Sequence, residues 1–459
     1  MKEATSFDVT QSFSDFGLHP AILSAVLGAG YSQPTPIQAQ ALPPVMDGRD
    51  VMGAAQTGTG KTAAFSLPIL HRLMPLANSS ASPARHPVRA LILTPTRELA
   101  DQVAASVRLY TQGTPLRSAV VFGGVDIAPQ KDTLRRGCEV LVATPGRLLD
   151  HIDQKTVNLS QVGILVLDEA DRMLDMGFMP DLLRIVQMLP KQRQSLLFSA
   201  TFSPEIRKLA SNFLRDPVTI EVAARNATAD TVTQVVYALR PEQKRAAVSH
   251  IVKSKGLKQV IAFTNTKAGA ARLARELERD GLKAESIHGN KSQLERMKVL
   301  DAFKAEELDV LVATDVAARG LDVAGVPCVI NVDLPFNAED YVHRIGRTGR
   351  AGASGEAFSL YSPAEQQLLD AIEKLIGRKI KQETPQLAEP ERSHRSNNST
   401  SSTNRRSHHS RGQAPLDDFF TKPYQPQSAA SSTATEPRNS GNGETRKRSV
   451  GVLLGGGRY

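Results

Sequence analysis

Short apolar runs alternate with segments of helical spacing along most of this 459-residue chain, in two successive series. The first occupies about residues 13 to 221, with strand-like runs at 90–93, 118–122, 139–143, 163–167 and 195–198. The second has runs at 259–264, 284–288, 309–314, 328–333 and 356–361. Between them, stretches such as 98–110, 181–188, 266–280 and 292–304 carry apolar residues at helical spacing. Uniformly apolar strands interleaved with helices are the pattern of parallel sheets covered on both faces. The expected fold class is α/β, with two parallel-sheet domains in tandem over residues 1–221 and 232–381 and a small polar linker at 222–231. From about Gln382 the chain turns to Ser, Asn, Thr, Arg, Pro and Gly, so 382–459 reads as a disordered basic tail.

Two motifs of the first series carry chemistry. Ala55-Gln56-Thr57-Gly58-Thr59-Gly60-Lys61-Thr62 is a P-loop with Ala55 at the first glycine position. Gly58 and Gly60 let backbone N–H groups turn toward phosphate oxygens. Lys61 would reach the β- and γ-phosphates, and the Thr62 hydroxyl would hold Mg²⁺. The helix begun by Ala63-Ala64-Phe65 offers its N-terminus to an anion. The run Gly163-Ile164-Leu165-Val166-Leu167 then delivers Asp168-Glu169-Ala170-Asp171 to the carboxyl edge, where α/β sheets bind ligands. Asp168 would hold Mg²⁺ directly or through water, and Glu169 would position or deprotonate an attacking water. The second series lacks a phosphate loop, which suggests a domain that closes over the first one's nucleotide.

The formal net charge of +9 favours a polyanionic partner, with plain solubility as the alternative. No apolar run is long enough to span a bilayer and residues 1–5 show no apolar signal segment, so no membrane partner and a cytoplasmic location are expected. Cys138 and Cys328 start strand-like runs far apart in the chain and read as core thiols in a reducing compartment.

The order of motifs resembles the DEAD-box RNA helicases of superfamily 2 over about residues 13–376, most closely the bacterial RhlE-type members. The resemblance implies two RecA-like domains, ATP and Mg²⁺ as cofactors, and RNA as partner, single-stranded or in short duplexes. Gly30-Tyr31-Ser32-Gln33-Pro34-Thr35-Pro36-Ile37-Gln38 is similar to the adenine-reading Q motif. It implies that Gln38 bonds the adenine edge, that Phe13 stacks on the base, and that Tyr31 and Gln33 belong to the same nucleotide site. A carboxamide offers a donor and an acceptor together, which suits adenine. Pro95-Thr96-Arg97-Glu98-Leu99-Ala100, Gly123-Gly124 and Thr144-Pro145-Gly146-Arg147 resemble RNA-backbone contacts. Each follows a strand and offers Arg, a hydroxyl or an exposed N–H to phosphate, although each alone could be a capping turn. Ser199-Ala200-Thr201 resembles the motif that couples nucleotide state to domain closure.

In the second domain, Thr264, Gly289, Arg296 and Thr314 fall at positions that the resemblance makes RNA-facing, and Asp322 at one facing the ribose. His343-Arg344-Ile345-Gly346-Arg347-Thr348-Gly349-Arg350 is the sharpest motif of this half. Arg347 and Arg350 would act as arginine fingers across the cleft, and His343 would help couple RNA to hydrolysis. The implied activity is an RNA-dependent ATPase that separates short duplexes locally, with little base specificity, in ribosome assembly or RNA decay. An ATP-gated RNA clamp and a DNA helicase of the same superfamily stay open as alternatives. A monomer is expected. The tail could tether RNA or a ribonucleoprotein through residues such as Arg405 and Arg446, dock a protein such as an RNA-decay factor through Phe419, Phe420 and the apolar 450–454 island, or act as an inert linker.

Overall fold

The computed structural model describes residues 11–55, 58–200, 202–222, 232–318, 323, 325–349 and 355–384. The linker at 223–231 and the tail from residue 385 therefore lie outside the described residues. Two seven-stranded sheets follow one another along the chain. The first contains β1 (Val51–Ala54), β2 (Ala90–Leu93), β3 (Ser118–Val121), β4 (Val140–Ala143), β5 (Ile164–Leu167), β6 (Gln194–Ser199) and β7 (Val218–Glu221). The second contains β8 (Val232–Ala238), β9 (Val260–Phe263), β10 (Ala284–Ile287), β11 (Val310–Ala313), β12 (Cys328–Asn331), β13 (Gly355–Tyr361) and β14 (Lys381–Glu383).

The first sheet is ordered β3-β4-β2-β5-β6-β1-β7 and the second β10-β11-β9-β12-β13-β8-β14. Subtracting seven from each number of the second order reproduces the first, so the two halves share one topology. Every pairing in both sheets is parallel. Parallel strands require crossover helices, and these bury both faces of each sheet. Thus Ala90 and Ile92 of β2 pack with Phe65 and Phe198 in one core, while Leu91 and Leu93 pack with Met173 and Leu182 in another.

All ten apolar runs expected from the sequence are strands; β1, β7, β8 and β14 were not among them. The two edge strands show why. β7 fully buries only Ile220, and β14 (Lys-Gln-Glu) is wholly polar. An edge strand is held by main-chain hydrogen bonds and needs little apolar side-chain surface. β14 pairs with β8 through Glu383, so regular structure runs into the stretch read as tail. Cys138 and Cys328 are both free and buried. Among the described residues, no helix is long and apolar enough to cross a membrane.

Candidate functional site

The phosphate loop joins β1 to the helix Lys61–Leu73. At its start the Ala55 N–H donates to the Ser199 carbonyl at 3.1 Å. Gln56 and Thr57 lie outside the described residues. Gly60 takes φ 92°, in the left-handed region, and a Cβ there would collide with the Gln38 carboxamide. Lys61 is 6% exposed, and its Nζ is buried with no hydrogen-bond partner. Thr59 and Thr62 are partly exposed beside it.

Asp168, just past β5, is 2% exposed, and its Oδ1 also has no hydrogen-bond partner. Burial pushes its carboxyl up to about 7; Lys61 opposes that rise and Glu169 adds to it. A buried ammonium and a buried carboxylate thus sense each other while each keeps open hydrogen-bonding capacity. Unsatisfied buried charge is costly, and it persists where a ligand supplies the missing partner. A phosphate fits the first group and a metal ion fits the second. Glu169 follows with φ 53° and ψ 53°, a left-handed backbone for a residue with a side chain, and starts the helix Ala170–Asp175. Such strain costs about 1–2 kcal/mol and clusters at functional positions. Asp171 then accepts the Ala200 N–H at 3.1 Å, tying this helix to the residue that follows β6. Ser199 is fully buried, and Thr201 lies outside the described residues.

Gln38 reaches the same loop. Its Oε1 accepts the Thr35 N–H at 2.8 Å and its Nε2 donates to the Gly60 carbonyl at 3.1 Å. Phe13 goes elsewhere. A Ser12 capping box seats the turn Phe13–Phe16, and the Phe13 ring is buried in the core beside Phe16. That ring has no free face for a base to stack on, because the capped turn drives it inward. Tyr31 is exposed and meets Tyr110 edge-on at 6.5 Å, and Gln33 is exposed.

In the second half, the helix Ala338–Ile345 carries His343 and Arg344 and leads to Arg347. His343 is held well below the usual histidine range by burial, then by Arg172, with Lys61 and Arg347 adding to the effect. Lys61 and Arg172 belong to the first half, so this helix lies close to the phosphate loop. Arg347 is buried, while Arg350 and Asp322 lie outside the described residues. Arg344, which sequence reasoning passed over, is the hub of this half. It grips Asp315 with two bonds of 2.6 and 2.7 Å, donates to the Asp333 carbonyl and to Asn265 Oδ1, and covers the Phe263 ring.

The expected RNA-facing residues fall in loops after the strands or in the helices that follow them. Thr96 caps the helix Arg97–Tyr110, and Thr144 precedes the helix Pro145–Asp153. Gly146 is exposed, and Pro145 begins its helix. Arg147 donates to the Val125 carbonyl at 3.0 Å. Gly124, at φ 78°, packs where any Cβ would strike the Arg97 guanidinium. Thr264 and Thr314 are buried at the ends of β9 and β11, and Gly289 is exposed beside Lys267. Arg97 and Arg296 do more than face outward. Arg97 donates to Gln293 Oε1, Gln293 Nε2 donates to Glu98 at 3.0 Å, and Arg296 pairs with Glu98 at 3.0 Å. These contacts join the first half to the second.

The chain matches the family model of DEAD/DEAH box helicases over residues 35–209 and that of the helicase conserved C-terminal domain over 243–352. It is 42% identical over 369 residues to the DEAD-box ATP-dependent RNA helicase RhpA of Helicobacter pylori, covering 80% of this chain and 73% of that protein. It is 43% identical over 376 residues to the ATP-dependent RNA helicase RhlB of Pseudomonas syringae pv. tomato, covering 81% of this chain and 94% of that one. Among solved structures it is similar to S. cerevisiae Dbp5 bound to RNA and ADP BeF3, with a TM-score of 0.73 and 32% identity over 82% of this chain and 96% of that one. Mss116p bound to ssRNA and AMP-PNP gives a TM-score of 0.74 and 29% identity, over 83% of this chain and 82% of that chain.

Proposed function

Because the chain belongs to the DEAD-box ATP-dependent RNA helicases, we propose that its two halves hydrolyse ATP at the Lys61–Asp168 site and use the cycle to open short RNA duplexes locally. The observation that carries this reading is the pair of buried, unpartnered groups, Lys61 Nζ and Asp168 Oδ1, beside a phosphate loop. Lys61 neutralises the phosphate tail of ATP. Thr62 and Asp168 are the residues that would hold Mg²⁺, which when bound supplies charge stabilisation on the phosphates. Glu169 orients the attacking water and accepts its proton. Arg347 and Arg350 come from the second half to meet the charge that develops on the transferred group. Gln38 exchanges its bond to the Gly60 carbonyl for the adenine edge, so base recognition and phosphate-loop conformation are linked.

RNA enters by its backbone along Arg97, Gly124, Thr144, Pro145, Gly146 and Arg147 of the first half and Thr264, Gly289, Arg296 and Thr314 of the second. Backbone contact gives little base specificity. ATP and RNA both favour the closed arrangement, so each tightens the other by the same factor. We further read the protein as a cytoplasmic monomer of ribosome assembly or RNA decay whose tail tethers ribonucleoprotein. The RhlE-type placement within the family rests on the sequence motifs alone.

The test is ATP turnover and strand release on matched RNA and DNA duplexes. RNA-stimulated turnover with release of a short RNA strand is expected. Stimulation by DNA to the same extent overturns the RNA reading, and RNA-dependent turnover without strand release converts the helicase into an ATP-gated clamp.

A further inference from the structure

An ion pair outside the recognised motifs connects the two halves. Arg172 Nη1 lies 2.6 Å from Asp340 Oδ1, across 168 positions of sequence. Both side chains are nearly removed from water, at 7% and 13% exposure. We propose that Arg172 and Asp340 form a positioning latch that sets the arginine-finger helix against the phosphate loop when the cleft closes.

Chain geometry supports this role. Arg172 stands three residues after Glu169 on the helix that Glu169 begins. Asp340 stands three residues before His343, hence on the same helical face, on the helix that leads to Arg347. One bond therefore connects the helix of the hydrolytic carboxylates to the helix of the finger. The Arg172 end is itself anchored. Asp171 accepts the Arg172 N–H with one oxygen and the Ala200 N–H with the other. Movement at Ala200, just past β6, thus bears on the latch through two short links.

The latch can also release. Asp175, one turn further on, lies 3.6 Å from the same Arg172 nitrogen. When the cleft opens, the guanidinium keeps a partner on its own helix, so opening does not strand a bare charge. A shielded pair of this kind is screened little by salt, unlike an exposed one. The cavity beside it, about 480 Å³, is walled by Asp171, Asp175, Glu205, Glu339 and Asp340 with Arg172 and His343. Arg172 is the one arginine or lysine on that wall, and burial keeps the ring of His343 from carrying charge in its place.

The latch rests on the RNA-dependent ATPase reading, and its test separates the two. Full-length Arg172→Gln, Asp340→Asn, the double variant and the charge-keeping Asp340→Glu are compared with wild type. The readouts are ATP turnover at saturating RNA, affinity for a fluorescent ATP analogue without RNA, and thermal midpoint. Each single variant is expected to lose roughly tenfold in RNA-stimulated kcat, within the usual range of couplings between sites. Nucleotide affinity without RNA should stay within about twofold, because the latch acts only on closure. The double variant should be no worse than the worse single, since the two side chains act as one unit. Asp340→Glu should keep most of the activity.

Single variants within about twofold of wild-type kcat, or losses that multiply in the double variant, overturn the latch. So does a loss that merely tracks a fallen thermal midpoint in Asp340→Asn, the mildest change. If wild type itself shows no RNA stimulation, the ATPase reading fails first and takes the latch with it. If wild type is stimulated and the variants match it, only the latch fails.

Discussion

At the residue scale, Asp168 shows how a site can be built against stability. Its carboxyl is buried, and burial raises it to about 7, against 3.8 in water. Asp168→Asn removes the buried charge and should raise unfolding free energy at neutral pH by roughly 1–3 kcal/mol while abolishing turnover, a stability–activity trade-off readable by urea titration and an ATPase assay. Glu169→Gln should still bind ATP and RNA but lose about 10²–10⁴ in turnover, the usual worth of a positioned base. Near-normal turnover would remove Glu169 from that role.

His343 carries a pH consequence of definite sign. Its folded value lies well below 6.5, because burial and Arg172 disfavour the imidazolium. An opened cleft that returns the ring to water would restore its ordinary value of 6.5, and the ring would then take up a proton below that pH. Protonation therefore favours the open form. Closure should be strongest above that pH and weaken as pH falls through it. RNA affinity measured with a non-hydrolysable ATP analogue should drop on acidification, and His343→Gln should flatten that part of the profile.

At the element scale, the two halves are stiffened by different devices. Gln38 caps its own helix through Thr35 and braces the phosphate loop through Gly60, so one carboxamide serves two elements. Arg344 does the equivalent work in the second half, joining the helix Ala338–Ile345 to the ends of β9, β11 and β12 through Asn265, Asp315 and Asp333. Arg344→Ala leaves the Asp315 carboxylate and a buried carbonyl without their donor. The expected cost is about 3–5 kcal/mol in the second half, seen as a lowered urea midpoint. Lys in its place should restore little, because an ammonium cannot make the fork on Asp315. A midpoint unchanged in Arg344→Ala would show that the hub is redundant.

At the scale of the whole molecule, two sheets of one strand order follow each other along the chain, and side chains of the two halves meet across a seam. Among the described residues, the contacts that bridge it include Arg97 with Gln293, Glu98 with Gln293 and Arg296, and Arg172 with Asp340. A protein ending near Val222 retains Lys61, Asp168 and Glu169 but lacks Arg347 and Arg350, the proposed fingers. It should bind ATP and turn it over ~10³–10⁵-fold more slowly than the full chain, the usual worth of an arginine finger. Equal turnover would end the cross-cleft account. Deletion from residue 385 should leave basal turnover intact and raise the RNA concentration needed for half-maximal stimulation. That difference should shrink with added salt if the tail works by neutralising phosphates.

The parallel sheets, the phosphate loop and the Asp168–Glu169 pair were legible in the sequence because each is contiguous: apolar runs declare buried strands, and the acids stand directly after one. Polar edge strands such as β14 were not legible, since main-chain pairing leaves no apolar signature. Phe13 shows the same limit from the other side. An aromatic ring's type is written in the sequence, but whether it meets a base or a core depends on the turn that seats it. Pairings between distant positions were also out of reach. Glu98 with Gln293 and Arg172 with Asp340 lie 195 and 168 residues apart. Local spacing determines which side chains share a face of one helix; which faces of two helices meet is decided by the packing of the sheets beneath them.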